Sequence, residues 1–128
     1  MLVRDVMNTK SPVLHEEDTI LHASKFMQEE RIRNLPVVDK NNKLTGLITL
    51  REIINTVFES PAKILVKDAM IKQVVAITAD KSLKDALETM MANKFGCLPV
   101  IDNEKKLIGF VSEADLLKTL YKLSPINV

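Results

Sequence analysis

Two hydrophobic rhythms alternate in the first half of the chain. Val13-Leu14, Leu35-Pro36-Val37-Val38 and Leu44 to Thr49 are short, dense apolar runs, whereas Ile20, Ala23 and Met27 recur at intervals of three and four. The runs are too brief and too β-branched for helices and read as strands, while the 3.6-residue spacing reads as a helix burying one stripe. Thr19 stands where an N-cap belongs. The polar tetrad Asp39-Lys40-Asn41-Asn42 separates two of the strands and predicts a hairpin. A last helix places Ile53, Ile54, Val57 and Phe58 on a single apolar face. The unit so predicted is β-α-β-β-α. The near-complete apolarity of Leu35 to Val38 predicts a strand covered on both faces.

The pattern then occurs again. Leu35-Pro36-Val37-Val38-Asp39 returns 63 positions later as Leu98-Pro99-Val100-Ile101-Asp102, and no gap is needed to set 3–58 against 66–121. The second copy has its first strand at Val75-Ala76-Ile77, then an N-cap at Ser82 and a helical stripe of Leu83, Ala86, Leu87 and Met90. A hairpin turn follows at Asp102-Asn103-Glu104-Lys105, and a last helix carries Leu116, Leu117, Leu120 and Tyr121. Such self-similarity is the signature of duplication. Residues 3–58 and 66–121 are therefore two repeats, 59–65 is a linker in which Pro61 discourages helix, and 122–128 is a tail following the last helix. The expected architecture is an α+β (α/β) fold in which the repeats pack sheet to sheet about a pseudo-twofold axis. The clefts between them are then the natural ligand sites.

Composition narrows the function. With 128 residues and a formal net charge of +1, the chain has a core of its own but no general attraction for nucleic acid or acidic membranes. The single cysteine, Cys97, precludes an internal disulfide and fits a reducing compartment. No stretch resembles a signal sequence, and no apolar run approaches the roughly 18 residues needed to span a bilayer, so a cytoplasmic location and no membrane are expected. Catalytic readings find little support. His15 and His22 sit in one repeat without zinc-ligand spacing, Cys97 precedes a buried strand, and no nucleophile elbow, phosphate loop or dinucleotide fingerprint is present. No catalytic residue, catalytic cofactor or metal is expected. Aromatic residues make up 4% of the chain and Trp is absent, which disfavours a base-stacking platform.

One polar pattern remains in both copies: Gly46-Leu47-Ile48-Thr49-Leu50-Arg51-Glu52 and Gly109-Phe110-Val111-Ser112-Glu113-Ala114-Asp115. A hydroxyl ends a strand, and a carboxylate follows three positions later in the first helical turn. That spacing is a capping box, and Ser82 with Asp85 repeats it where no site is implied. It also suits a ligand, because a helix N-terminus with Ser112 can hold a phosphate and Asp115 can accept hydrogen bonds from a ribose diol. The two readings are compatible. The glycines inside the strands signal close backbone approach, a bulge or tight packing.

Taken together, Val3-Arg4-Asp5-Val6-Met7 and Val66-Lys67-Asp68-Ala69-Met70, the two Leu-Pro-Val-x-Asp strands and the Gly-x-x-Ser/Thr-x-x-acid segments resemble a tandem pair of CBS (cystathionine-β-synthase) domains, a Bateman module. The resemblance covers 3–121. It implies a regulatory module, not an enzyme, whose clefts take adenosine-containing ligands: AMP, ADP, ATP or S-adenosylmethionine. Position for position, Asp115 matches the ribose-binding aspartate and Ser112 its hydroxyl partner, with Glu52 and Thr49 their counterparts in the first repeat. Adenine or phosphate contacts fall to Cys97-Leu98 before Pro99, to Asn34-Leu35, and to the segments Gln73-Val74-Val75 and Lys10-Ser11-Pro12. Glu52 is one methylene longer than the family's aspartate, and Gly96-Cys97 stands where many relatives carry His or Arg, a role left to Arg33. A stronger site at Asp115 and a weaker or vacant one at Glu52 are expected. The resemblance further implies a homodimer through the helices and, with no effector domain encoded, a protein effector reached in trans. A ligand-free dimerisation scaffold is the main rival, with nucleic-acid binding behind it.

Overall fold

A computed structural model of the chain describes residues 1–123. Six strands and five helices alternate: β1 (Leu14–His15), α1 (Ile20–Glu30), β2 (Asn34–Val38), β3 (Leu44–Thr49), α2 (Leu50–Asn55), α3 (Val66–Ala69), β4 (Ile77–Thr78), α4 (Leu83–Asn93), β5 (Cys97–Ile101), β6 (Leu107–Ser112) and α5 (Glu113–Leu123). The mixed α+β class and the β-α-β-β-α order of each repeat are as the hydrophobic pattern predicts. The first strands start later than expected, at Leu14 and Ile77, and the short helix α3 and a 3-10 turn at Val3–Asp5 are additions.

Each repeat forms one three-stranded sheet, ordered β1-β2-β3 and β4-β5-β6. In the first, β1 is parallel to β2 and β2 is antiparallel to β3, with Pro36 opposite Leu47. A proline in a central strand requires that its missing N–H not be needed there. That holds for Pro36. Leu47 exchanges both backbone hydrogen bonds with Ile71 on its other side, at 3.0 and 2.9 Å, so it asks nothing of Pro36. β1, two residues long, pairs only with Val37 and Val38. Thr19 and Ser82 cap α1 and α4 by accepting from His22 N and Asp85 N, as their positions predict.

The chain divides into two compact units that do not follow the repeats. One comprises Pro12–Val74 with Lys105–Leu107 and contains the β1–β3 sheet; the other comprises Met1–Ser11, Val75–Glu104 and the chain from Ile108, and contains the β4–β6 sheet. The leading segment of each repeat has thus changed sides. Val3 N donates to Lys81 O, Arg4 N to Ala79 O, and Asn8 pairs with Phe110. Val3 is consequently fully buried in a core with Ile77, Ala86, Met90, Leu98, Val100 and Val111. Reciprocally, Val66 N donates to Asp18 O, and the Val66 side chain joins Leu14, Ile20, Leu35, Val37 and Ile48. Both leading segments also cover a sheet edge, at Asn8↔Phe110 and Leu47↔Ile71, which satisfies backbone groups that an open edge would leave to water.

The strand glycines follow from this exchange. A Cβ on Gly109 would lie 2.7 Å from Met7 Sδ, and one on Gly46 would collide with Met70 Sδ and come within 3.0 Å of Ile71 O. Of the readings open for these glycines, tight packing is the one observed.

Candidate functional site

The hydroxyl–carboxylate pairs lie at corresponding corners of the two units, where a hairpin's last strand passes into its helix. At the end of β6, Ser112 N and Ser112 Oγ both donate to Asp115 Oδ2, at 2.9 Å each, and Asp115 N donates back to Ser112 Oγ at 3.2 Å. At the end of β3, Thr49 N and Thr49 Oγ1 donate to Glu52 Oε1, at 2.6 Å each, and Arg51 N donates to Thr49 Oγ1 at 3.3 Å. Both are complete capping boxes. Ser82 and Asp85 form only the hydroxyl arm among the described residues. In each box, every hydrogen bond given to the carboxylate falls on one oxygen. Asp115 Oδ1 and Glu52 Oε2 accept none among the described residues, and both side chains are partly exposed. A carboxylate oriented by its cap and holding one oxygen free can accept from a neighbouring diol.

The amides of the two helix starts are largely taken. Glu113 N donates to Gly96 O and Leu50 N to Arg33 O, at 3.0 Å each. With Asp115 N and Arg51 N used by the capping hydroxyls, little of either first turn is left for a phosphate. These same bonds bring the start of the central strand to each corner: Asn34 pairs with Thr49, and Gly96-Cys97 abuts Glu113.

The other candidate residues are spread more widely. Leu35 and Leu98 are fully buried in the two cores, and Pro99 is buried beside Leu98, so only backbone from these positions is available to a ligand. Cys97 is buried at the head of β5, and burial, with the Glu113 carboxylate beside it, pushes its thiol from an ordinary 9 up to about 12. A buried thiol held protonated in this way is poorly suited to act as a nucleophile. Arg33 is exposed and lines a groove between α1 and α2. Lys10 and Ser11 follow Asn8, which pairs antiparallel with Phe110; the chain there runs toward the start of β6 and away from Ser112. Gln73 and Val74 likewise follow Ile71, past Leu47 and away from Thr49. Pro12 begins the β1–β3 unit and Val75 resumes the β4–β6 unit.

Glu113 shares the second corner with Ser112 and Asp115, though residue spacing alone gives it no role there. The signal available was a break in the repeat: Glu113 matches Leu50, and Gly96 matches Arg33. No group of histidine, cysteine and carboxylate side chains suited to a metal ion is present among the described residues, and no described helix is long and apolar enough to cross a membrane.

Comparison with known proteins places this geometry in a family. The family model described as CBS domain matches twice, at 3–59 and 66–122. Inosine-5'-monophosphate dehydrogenase of Methanocaldococcus jannaschii is 40% identical over 118 residues, which are 92% of this chain and 22% of that enzyme. The chain thus spans less than a quarter of the length of this relative. The CBS domain pair of protein MJ0100, solved with 5'-methylthioadenosine and S-adenosyl-L-methionine, superposes with a TM-score of 0.86 at 23% identity, covering 97% of this chain and 98% of that one. CBSX2, solved with AMP, superposes with a TM-score of 0.88 at 24% identity, covering 95% and 97%. With both repeats matched almost end to end, the chain belongs to the CBS domain family and carries the domain twice.

Proposed function

We propose that this CBS pair is a regulatory module that senses an adenosine-containing ligand (AMP, ADP, ATP or S-adenosylmethionine) and has no catalytic function of its own. Asp115, with Ser112, holds the ribose in the stronger site, bounded by Cys97 and the backbone of Leu98 and Pro99. Glu52 and Thr49 form the weaker site, with Asn34. The segments 10–12 and 73–75 complete the ligand surroundings, and Arg33 supplies charge for phosphate. Ligand binding alters a surface formed by paired copies and read by a protein effector in the cytoplasm.

One observation carries this reading: the Asp115 carboxylate is held by its cap through Oδ2, Oδ1 accepts no hydrogen bond among the described residues, and the residue is partly exposed. The adenosine ligands held by MJ0100 and CBSX2 support the ligand class. The test is a thermal-shift panel of AMP, ADP, ATP, S-adenosylmethionine and NAD on nucleotide-stripped protein, since a ligand at a hundred times its Kd adds about 2.7 kcal/mol to the folded state. A clear rise in Tm with at least one adenosine ligand is expected.

The completeness of both capping boxes favours one second reading, a ligand-free scaffold in which these pairs serve only the helices. It predicts no shift with any of these compounds at millimolar concentration.

A further inference from the structure

The two corners match position for position but not in charge. At the start of α2, the strand residue whose carbonyl accepts from Leu50 N is Arg33, and Arg51 precedes Glu52, so guanidinium groups outweigh the carboxylate. The same places in the second repeat hold Gly96, Glu113, Ala114 and Asp115, which are carboxylates without an arginine. Arg31 and Lys94 are matched cations and leave that contrast unchanged; Lys94 forms no ion pair with Glu113 among the described residues. An acidic residue in a first turn suits the helix dipole, but that does not account for where the Glu113 carboxylate lies. Its Oε1 is 2.9 Å from where a Cβ of Gly96 would be, so the side chain folds back over the entrance to β5, and a side chain at 96 would push it aside. The carboxylate is also near enough to Cys97 to help keep that thiol protonated. Glu113 and Asp115 share one helical turn, whose pitch is about 5.4 Å. A group hydrogen-bonded to Asp115 therefore lies within the roughly 8 Å over which charges act at physiological salt.

Adenosine ligands share the ribose diol and differ at the 5' carbon. That carbon bears a hydroxyl in adenosine, a phosphate of roughly −1.5 to −2 charge in AMP, and a cationic sulfonium in S-adenosylmethionine. We infer that Glu113 sets the ligand charge admitted at the Asp115 corner, disfavouring a 5'-phosphate and favouring a neutral or cationic 5' group, with an adenosyl sulfonium the preferred class. The inference rests on the proposed ribose role of Asp115 and narrows the ligands which that corner takes. Glu113 acts through space and not as a contact: a like charge at a recognition site rejects the wrong ligand more than it strengthens the right one.

The test is calorimetric titration of the full, nucleotide-stripped chain with adenosine, AMP and S-adenosylmethionine, repeated on Glu113→Gln, which keeps the side-chain length and removes the charge. The unmodified protein should bind AMP more weakly than adenosine and S-adenosylmethionine at least as tightly. Glu113→Gln should tighten AMP by up to about fivefold, weaken S-adenosylmethionine by up to a similar factor, and leave adenosine within about twofold, the range of an exposed charge pair. The altered preference should fade in about 1 M salt, which a merely structural role for Glu113 would not produce. Tighter binding of AMP than of adenosine by the unmodified protein, or equal shifts of all three ligands in Glu113→Gln, would overturn the inference and leave the ribose reading standing. Adenosine binding that Asp115→Ala leaves untouched, or no adenosine binding at all, would overturn the ribose reading and this inference with it.

Discussion

Gly46 and Gly109 are glycines because a methionine from the other repeat needs their space. The three atoms nearest the Gly109 position all belong to the Met7 side chain (Sδ, Cγ and Cβ), whereas Gly46 is met by both Met70 and the carbonyl of Ile71. A flexible thioether can yield where backbone cannot. Gly46→Ala should therefore cost more than Gly109→Ala, both within the roughly 1–3 kcal/mol typical of overpacking. Met7→Ala should rescue Gly109→Ala better than Met70→Ala rescues Gly46→Ala, as denaturant midpoints would show. The sequence alone left three readings for these glycines, because the deciding partner lies far away along the chain. Cys97 supports a pH prediction. Its folded thiol titrates near 12 against an ordinary 9, so its contribution to stability is fully present below pH 9 and falls as pH rises toward 12. Alkaline denaturation series should show a shallower decline for Cys97→Ala than for the unmodified protein over that interval.

At the level of elements, the hydrophobic pattern was sufficient for strands and helices with local causes. The hairpin strands β3 and β6 match their predicted bounds, and the caps at Thr19 and Ser82 hold because a side-chain oxygen reaches an amide three residues on. Helix ends were less legible. α1 and α4 stop at Arg31 and Lys94, with φ of 55° and 57°, where no glycine announces a left-handed residue. α2 ends at Asn55, and Thr56 Oγ1 donates to Ile53 O; the matching Thr119 donates to Asp115 O, four residues back, and α5 continues to Leu123. Val57 and Phe58 thus lie beyond the helix on which their spacing placed them. The exchange of leading segments was invisible to periodicity, because Val3 and Val66 sit in turns too short to carry a stripe. It has a measurable consequence. Val3→Ala should cost about 2 kcal/mol, and hydrogen exchange should rise in β4, β5 and α4, not in the repeat to which Val3 belongs by sequence. Loss of protection confined to β1–β3 would contradict the assignment of Val3 to the other core.

Across the whole molecule, duplication supplies an internal comparison that a single domain lacks. The same two corners recur with Asp115 in one and Glu52 in the other, each fixed by a capping box and each with one oxygen left over. The pairing of hydroxyl and carboxylate could be read from spacing. The allocation of their hydrogen bonds, and the use of nearby helix amides by Gly96 O and Arg33 O, needed coordinates. Asp115 has both a structural and a proposed ligand role, so the two must be separated by what is measured. Losing the cap arm should lower stability by about 1 kcal/mol, which a melting curve without ligand reports. Losing a hydrogen bond from ribose to a charged acceptor should cost roughly 1.5–3 kcal/mol of binding, which only a titration reports.

That titration is the most direct test of the nucleoside-sensing account: calorimetry of the best ligand from the panel against the unmodified protein, Asp115→Ala, Glu52→Ala and Asp85→Ala. The account predicts that Asp115→Ala raises Kd by about tenfold to a hundredfold, that Glu52→Ala has a smaller effect, and that Asp85→Ala, a helix-start carboxylate outside both corners, leaves Kd unchanged. Equal Kd values for Asp115→Ala and Asp85→Ala would contradict it.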